Sequence, residues 1–187
     1  VVIEDSCVFN TTGGGVVYNG LTGSFESYAD VNLAGTAQAA YFFPTGDSAG
    51  ATAVIGGTIN LTDNTNNYIV RCSVGNTDMS ITIDSTFFLE SVPSTFTRSA
   101  WDIINPRVFT AEAGWRIDTR GTTGIALGDI HIYNNASQGA TVNAGVTIGA
   151  GTIDRAGIDG YGIKIGDESP SDAHGQNKYL FVNIDGV

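Results

Sequence analysis

Two aspartates stand near tryptophans in this chain: Asp102 in Ser-Ala-Trp-Asp-Ile-Ile-Asn-Pro and Asp118 in Gly-Trp-Arg-Ile-Asp-Thr-Arg-Gly. Glycoside hydrolysis generally takes two carboxyl groups about 5–10 Å apart, one protonated to assist the leaving group and one ionised as base or nucleophile. Asp102 and Asp118 are the catalytic candidates, with Asp84 and Glu90 behind them. A flat ring stacks on the apolar face of a sugar, so Trp101, Trp115 and Tyr161, which fall in less regular stretches, are the carbohydrate-binding candidates. Packing of each ring beneath a loop is the alternative. Arg116 and Arg120 flank Asp118 and are the one basic cluster suited to neutralising a uronate for a lyase. With nineteen acidic residues the chain offers many such pairings, so the elements that position them must decide.

Other chemistry finds less support. Asp154, Asp159, Asp167, Glu168, Asp172 and His174 gather toward the C-terminal end, and hard cations favour oxygen-rich, Gly-bent loops. No EF-hand spacing or nonapeptide Ca²⁺ repeat is present, so the cluster reads as a solvated acidic loop, with no metal or cofactor expected. His131 and His174, the two histidines, sit in no Ser-His-Asp or His-Glu-x-x-His pattern. The Gly-rich stretches Thr-Thr-Gly-Gly-Gly and Gly-Thr-Thr-Gly lack the P-loop lysine and read as turns. The sequons at Asn10, Asn60 and Asn135 are common matches in an Asn- and Thr-rich sequence.

Composition narrows the class. Eight Lys and Arg against nineteen Asp and Glu give a formal net charge of −11 in 187 residues, which repels a phosphate backbone and argues against nucleic acid. No apolar run is long enough to insert in a bilayer as a helix. Helix formers are scarce beside Gly, Thr, Asn, Ile and Val, a bias toward strands joined by turns. Cys7 and Cys72 lack metal-ligand or disulfide-framework spacing and read as buried thiols. The chain opens Val-Val-Ile-Glu-Asp without a basic or apolar leader, and is expected to be an excised part of a longer protein.

A loose echo organises the chain. Asp-Ser-Cys-Val-Phe-Asn, Gly-Thr-Ile-Asn-Leu-Thr-Asp, Asp-Ser-Thr-Phe-Phe-Leu-Glu and Asp-Ile-His-Ile-Tyr-Asn alternate apolar and polar residues. Anchors at Val8, Val31, Ile59, Phe87, Val108, Ile132, Ile153 and Val182 are separated by 21 to 29 residues, a spacing that signals stacked repeat units. Turn-rich connections such as Thr-Asp-Asn-Thr-Asn-Asn leave no room for crossover helices. An all-β, parallel β-helix of about seven or eight rungs over residues 1–187 is therefore expected, as one domain. If the anchors point inward, the next residues point outward, and that column holds Phe9, Phe88, Phe109 and Tyr133. So many exposed rings mark an interface or a groove, unless the register is off by one and they are core.

The rungs Met-Ser-Ile-Thr-Ile-Asp-Ser-Thr-Phe-Phe-Leu-Glu-Ser, Gly-Ile-Ala-Leu-Gly-Asp-Ile-His-Ile-Tyr-Asn-Asn and Asp-Arg-Ala-Gly-Ile-Asp-Gly-Tyr-Gly-Ile-Lys-Ile-Gly resemble those of right-handed parallel β-helices. The resemblance is to pectate-lyase-like proteins and, above all, to bacteriophage tailspikes and related virion appendages. It implies a right-handed coil, a homotrimer packed through the outward aromatic column, and a virion or extracellular location. The implied role is recognition of a host-surface polysaccharide. The alternatives of the same architecture are a polysaccharide hydrolase or lyase and a bacterial extracellular scaffold.

Overall fold

The computed structural model describes residues 1–11, 16–17, 23–34, 39–43, 50–63, 68–72, 79–92, 96, 98–104, 106–121, 130–134, 145–155 and 163–167. These form strands, corners and turns, with no helix among them. Short alternating runs make the strands: Ser80-Ile81-Thr82-Ile83 buries both isoleucines and leaves the hydroxyl residues half-exposed, the period-2 pattern of a sheet with one face on a core.

Three parallel sheets result, each with six strands. The first holds β1 (Val2–Ile3), β4 (Ser24–Ser27), β7 (Thr52–Ile55), β10 (Ser80–Ile83), β13 (Val108–Ala111) and β16 (Gly145–Ile148). The second holds β2 (Val8–Thr11), β5 (Asp30–Ala34), β8 (Thr58–Asp63), β11 (Phe88–Ser91), β14 (Arg116–Thr119) and β17 (Thr152–Arg155). The third holds β3 (Val16–Val17), β6 (Ala39–Phe43), β9 (Tyr68–Cys72), β12 (Trp101–Ile104), β15 (Ile130–Asn134) and β18 (Ile163–Asp167). Successive strands fall in the first, second and third sheets in turn, and each pairs with the strand three places along the chain. This is a parallel β-solenoid. Where seven or eight rungs are expected, each sheet has six strands among the described residues, and the anchor Val182 lies outside them.

The true repeat varies along the chain, from 22 residues between Val8 and Asp30 to 37 between Val108 and Gly145. Ser24, Thr52, Ser80 and Val108 stand in register at intervals of 28 residues. The anchors Val31 and Ile59 do share the second sheet, but Val108 belongs to the first sheet and Ile132 to the third. Every strand carries the same alternation, so a single apolar residue does not say which side of the coil it occupies.

The core is built from inward columns. Phe25, Ala53, Ile81, Phe109 and Val146 stack in the first sheet, Val31 on Ile59 in the second, and Val70, Trp101 and Ile130 in the third. Trp101 sits at the centre, with its ring centroid 5.4 Å from Phe87, 5.8 Å from Phe109 and 5.1 Å from Trp115. One buried polar contact crosses from the third sheet to the first, the Tyr41 hydroxyl to Ser27 Oγ at 2.8 Å. Burial pushes the Tyr41 phenol up to about 12, with the Ser27 hydrogen bond acting the other way. Cys72 is buried as expected, but Cys7 is exposed at the corner before β2.

The corners between first and second sheets are too short for anything but a turn. Gly56 and Gly57 alone join β7 to β8. Gly57 adopts φ 79°, and a Cβ there would stand 2.4 Å from the carbonyl oxygens of Tyr28 and Ala29 on the preceding rung. In the following rung the corner is longer and Asp84 closes it: its Oδ1 accepts from Thr86 N at 2.8 Å and Thr86 Oγ1 at 2.6 Å. Thr86 Oγ1 in turn accepts from Gly57 N at 3.2 Å. Asp84 is therefore a turn residue at this corner.

Two substitutions test this packing. Gly57→Ala is expected to destabilise by about 1–3 kcal/mol from the left-handed backbone alone, and by more through the clash, as read by urea denaturation. Ser27→Ala leaves the buried Tyr41 hydroxyl without its partner and is expected to cost about 1–3 kcal/mol, with the Ser27→Ala/Tyr41→Phe double variant costing less than the summed singles.

Candidate functional site

Strand alternation decides where the expected site residues go. In β12 the ring of Trp101 points into the core, so the next residue, Asp102, must point outward. Trp101 is 0% exposed and offers no face to a sugar. Trp115, at the corner before β14, is also buried, and its Nε1 donates to Gly149 O at 2.9 Å. Its ring lies so close on the backbone of Gly151 that a Cβ there would meet it at 2.1 Å. Both tryptophans are core residues, and adjacency to an acid in sequence means separation across the sheet. Tyr161 lies outside the described residues.

The expected outward aromatic column divides for the same reason. Val108 is exposed and Phe109 is 0% exposed, so the register at β13 is off by one and Phe109 is core. Val8 and Phe9 repeat the inversion: Val8 is exposed and Phe9 packs against the core. Phe88 does point outward, half-buried with the Arg116 guanidinium 4.9 Å over its ring. Tyr133 is in β15, with its side chain outside the described set.

Asp102 and Asp118 occupy different sheets and have different partners. On the third sheet Arg71, Asp102 and His131 stand in register on successive strands. Asp102 is 3.4 Å from Arg71 Nε through Oδ2 and 3.4 Å from His131 Nδ1 through Oδ1. The Asp102 and His131 side chains are only 3% and 1% exposed, so this face is covered and Asp102 has no access to a polymer. The 29-residue step from Asp102 to His131 is a rung repeat.

The second sheet is different, because its outer face is open. One outward column runs Val8, Asp30 in β5, then Thr58, Phe88, Arg116 and Thr152. The other runs Asn10, Asn32 and Asn60, meets a bulge at Glu90 and Ser91, and continues with Asp118 and Asp154. Asn32 Nδ2 donates to Asn10 Oδ1 at 2.8 Å, and Asn60 Nδ2 to Asn32 Oδ1 at 3.1 Å. The amides thus form a ladder up the outside of the solenoid. Asp30 steadies the neighbouring column by accepting from Thr58 N at 3.0 Å.

Farther along this face two arginines hold two aspartates. Arg116 Nε donates to Asp154 Oδ2 at 3.0 Å and its Nη2 lies 2.9 Å from the same oxygen. Arg120 donates through Nε to Asp118 Oδ1 at 3.0 Å and through Nη2 to Oδ2, while its backbone N–H reaches Oδ1 at 3.1 Å. The Arg120 hydrogen bonds hold the Asp118 carboxyl below the usual carboxylate range, against an upward push from partial burial. Asp118 and Asp154 are direct neighbours on β14 and β17, so their backbones lie about 4.8 Å apart. The structure thus brings together Asp118, Arg116 and Arg120, adds Asp154, and leaves Asp102 elsewhere. Among the described residues no group of three or more His, Cys, Asp and Glu could hold a metal ion.

Comparison with protein-family models, with curated proteins and with solved structures finds no match to this chain.

Removing Arg120 tests the electrostatics. In Arg120→Ala the Asp118 carboxyl is expected to rise to or above the ordinary value of about 4, followed by carboxyl-carbon NMR. The sign follows from a lowered folded-state pKa: the stability gained from the pair is present above the unfolded carboxylate value and is lost as pH falls through the folded one. The gap between the original chain and Arg120→Ala should therefore close under acid and stay constant near neutrality.

Proposed function

We propose that this chain is a β-helical segment of a bacteriophage tailspike, tail fibre or other virion appendage. It recognises a host-surface polysaccharide, acts as a homotrimer, and is displayed on the virion or outside the cell. The rung texture supports the assignment to this class, including a right-handed coil of seven or eight rungs. The observation that carries the ligand reading is the open outer face of the second sheet, where Asn10, Asn32, Asn60 and Asp154 line one column of a stiff stack, with Asp118 buried within it. A solenoid supplies a long repetitive surface suited to an extended ligand.

The Asp118 and Asp154 pair favours a second reading, a polysaccharide hydrolase or lyase. Hydrolysis needs one of the two carboxyls to carry a proton. Asp118 is drawn the other way by Arg120, and Asp154 is engaged by Arg116. Binding without cleavage is the reading adopted.

Two measurements test it. Light scattering is expected to give three times the 19.5 kDa chain mass, and a monomer would remove the trimer. Incubation with a bound polysaccharide is expected to release no reducing ends; release that disappears in Asp118→Asn or Asp154→Asn would replace the adhesin with an enzyme.

A further inference from the structure

We propose that the ligand of the second sheet's open face is an uncharged, extended polysaccharide lying along the solenoid, across the strands, with about one sugar to each strand. This rests on the reading of the chain as a polysaccharide-recognising segment and identifies the site and the ligand class.

The groups on this face are of the kind that recognise sugars. Planar amides and carboxylates meet vicinal hydroxyls, which both donate and accept, and here amides recur on the first three strands of the column and the half-buried Asp154 stands at its far end, while Asp118 between them is buried against Arg120. The amide ladder fixes the orientation of Asn10, Asn32 and Asn60 before any ligand arrives, which lowers the entropy cost of binding. It also leaves valences unused. Asn32 and Asn60 each use one amide N–H in the ladder and keep the other. Asn10, at one end, acts in it as acceptor, and Asn60, at the other, as donor.

Spacing and surface relief agree. Neighbouring strands lie about 4.8 Å apart, close to the length of one pyranose in an extended chain, so successive sugars meet successive side chains of one column. Phe88 stands in the adjacent column midway along the sheet, half-buried and facing out, and supplies the apolar edge against which a ring face packs. Asn10, Glu90, Arg116 and Thr152 are exposed on the same face, whereas the covered third sheet encloses Asp102 and His131.

Charge selects the class. Asp30, Glu90, Asp118 and Asp154 outnumber Arg116 and Arg120, both of which already hold an aspartate, and the whole chain carries −11. A polyanionic glycan meets net repulsion, while a neutral one meets the same donors and acceptors without it.

The test is an array of immobilised bacterial surface polysaccharides, neutral and acidic, probed with the intact chain. The chain is expected to bind neutral glycans, and Asn32→Ala/Asn60→Ala and Phe88→Ala each to weaken that binding about tenfold or more, the loss of at least one good polar or stacking contact. Thr82→Ala, on the outer face of the first sheet, should leave affinity unchanged. Far-UV CD checks the fold of each variant, and Asn32→Asp, which keeps the shape and removes the amide donor, takes the place of any variant that does not fold. No glycan bound by the original chain overturns the polysaccharide reading as a whole. Neutral glycans bound with equal affinity by all variants overturn this site alone, and binding confined to acidic glycans overturns the neutral class.

Discussion

In-register parallel stacking is the constraint on which the molecule depends. Each strand hydrogen-bonds to the strand one coil earlier and one coil later, so a residue's environment is set by its place in a column more than by its neighbours in sequence. The 28-residue interval through Ser24, Thr52, Ser80 and Val108 is the clearest expression of this. Where it holds, like sits on like: Asn60 on Asn32 outside, Ile59 on Val31 inside.

The same constraint explains how corners and core support one another. Gly57 lies against the backbone of the preceding rung and Thr86 of the next rung bonds to its N–H, so a turn in one coil is shaped by the turns above and below. Inside, Trp101 bridges Phe87, Phe109 and Trp115, tying the third sheet to the first and to the corners that lead into the second. Outside, the second sheet is left open and the third is covered, and that asymmetry separates the two aspartates that sequence proximity to tryptophan suggested were alike.

Much of the architecture was legible because alternation and turn chemistry are local. Ser-Ile-Thr-Ile and Thr-Ile-Asn-Leu announce strands, and the absence of helical stretches between them leaves parallel coiling as the way to pair them. The side of the coil was not legible, since alternation is identical in all three sheets, and anchors on Val108 and Ile132 slid from one sheet to another. A one-residue slip reverses every side chain, which turned Phe9 and Phe109 from expected surface into core. Asp118 with Arg116 and Arg120 was readable because those residues share one strand and its exit. Asp154, His131 and Arg71 were not, because they arrive from strands about 30 or more residues away, where only the register says which residues meet.

The ring cluster gives the molecule an internal optical marker. Trp101 and Trp115 are the chain's two tryptophans, they touch edge to face with centroids 5.1 Å apart, and both belong to adjoining coils in the middle of the stack. Their fluorescence and near-ultraviolet ellipticity therefore report on one short length of the solenoid, while the amide signal averages over all of it. In a fold held together chiefly by nearest-neighbour coils, those two signals need not change together, and any lag between them measures how far fraying travels from the ends before the centre gives way.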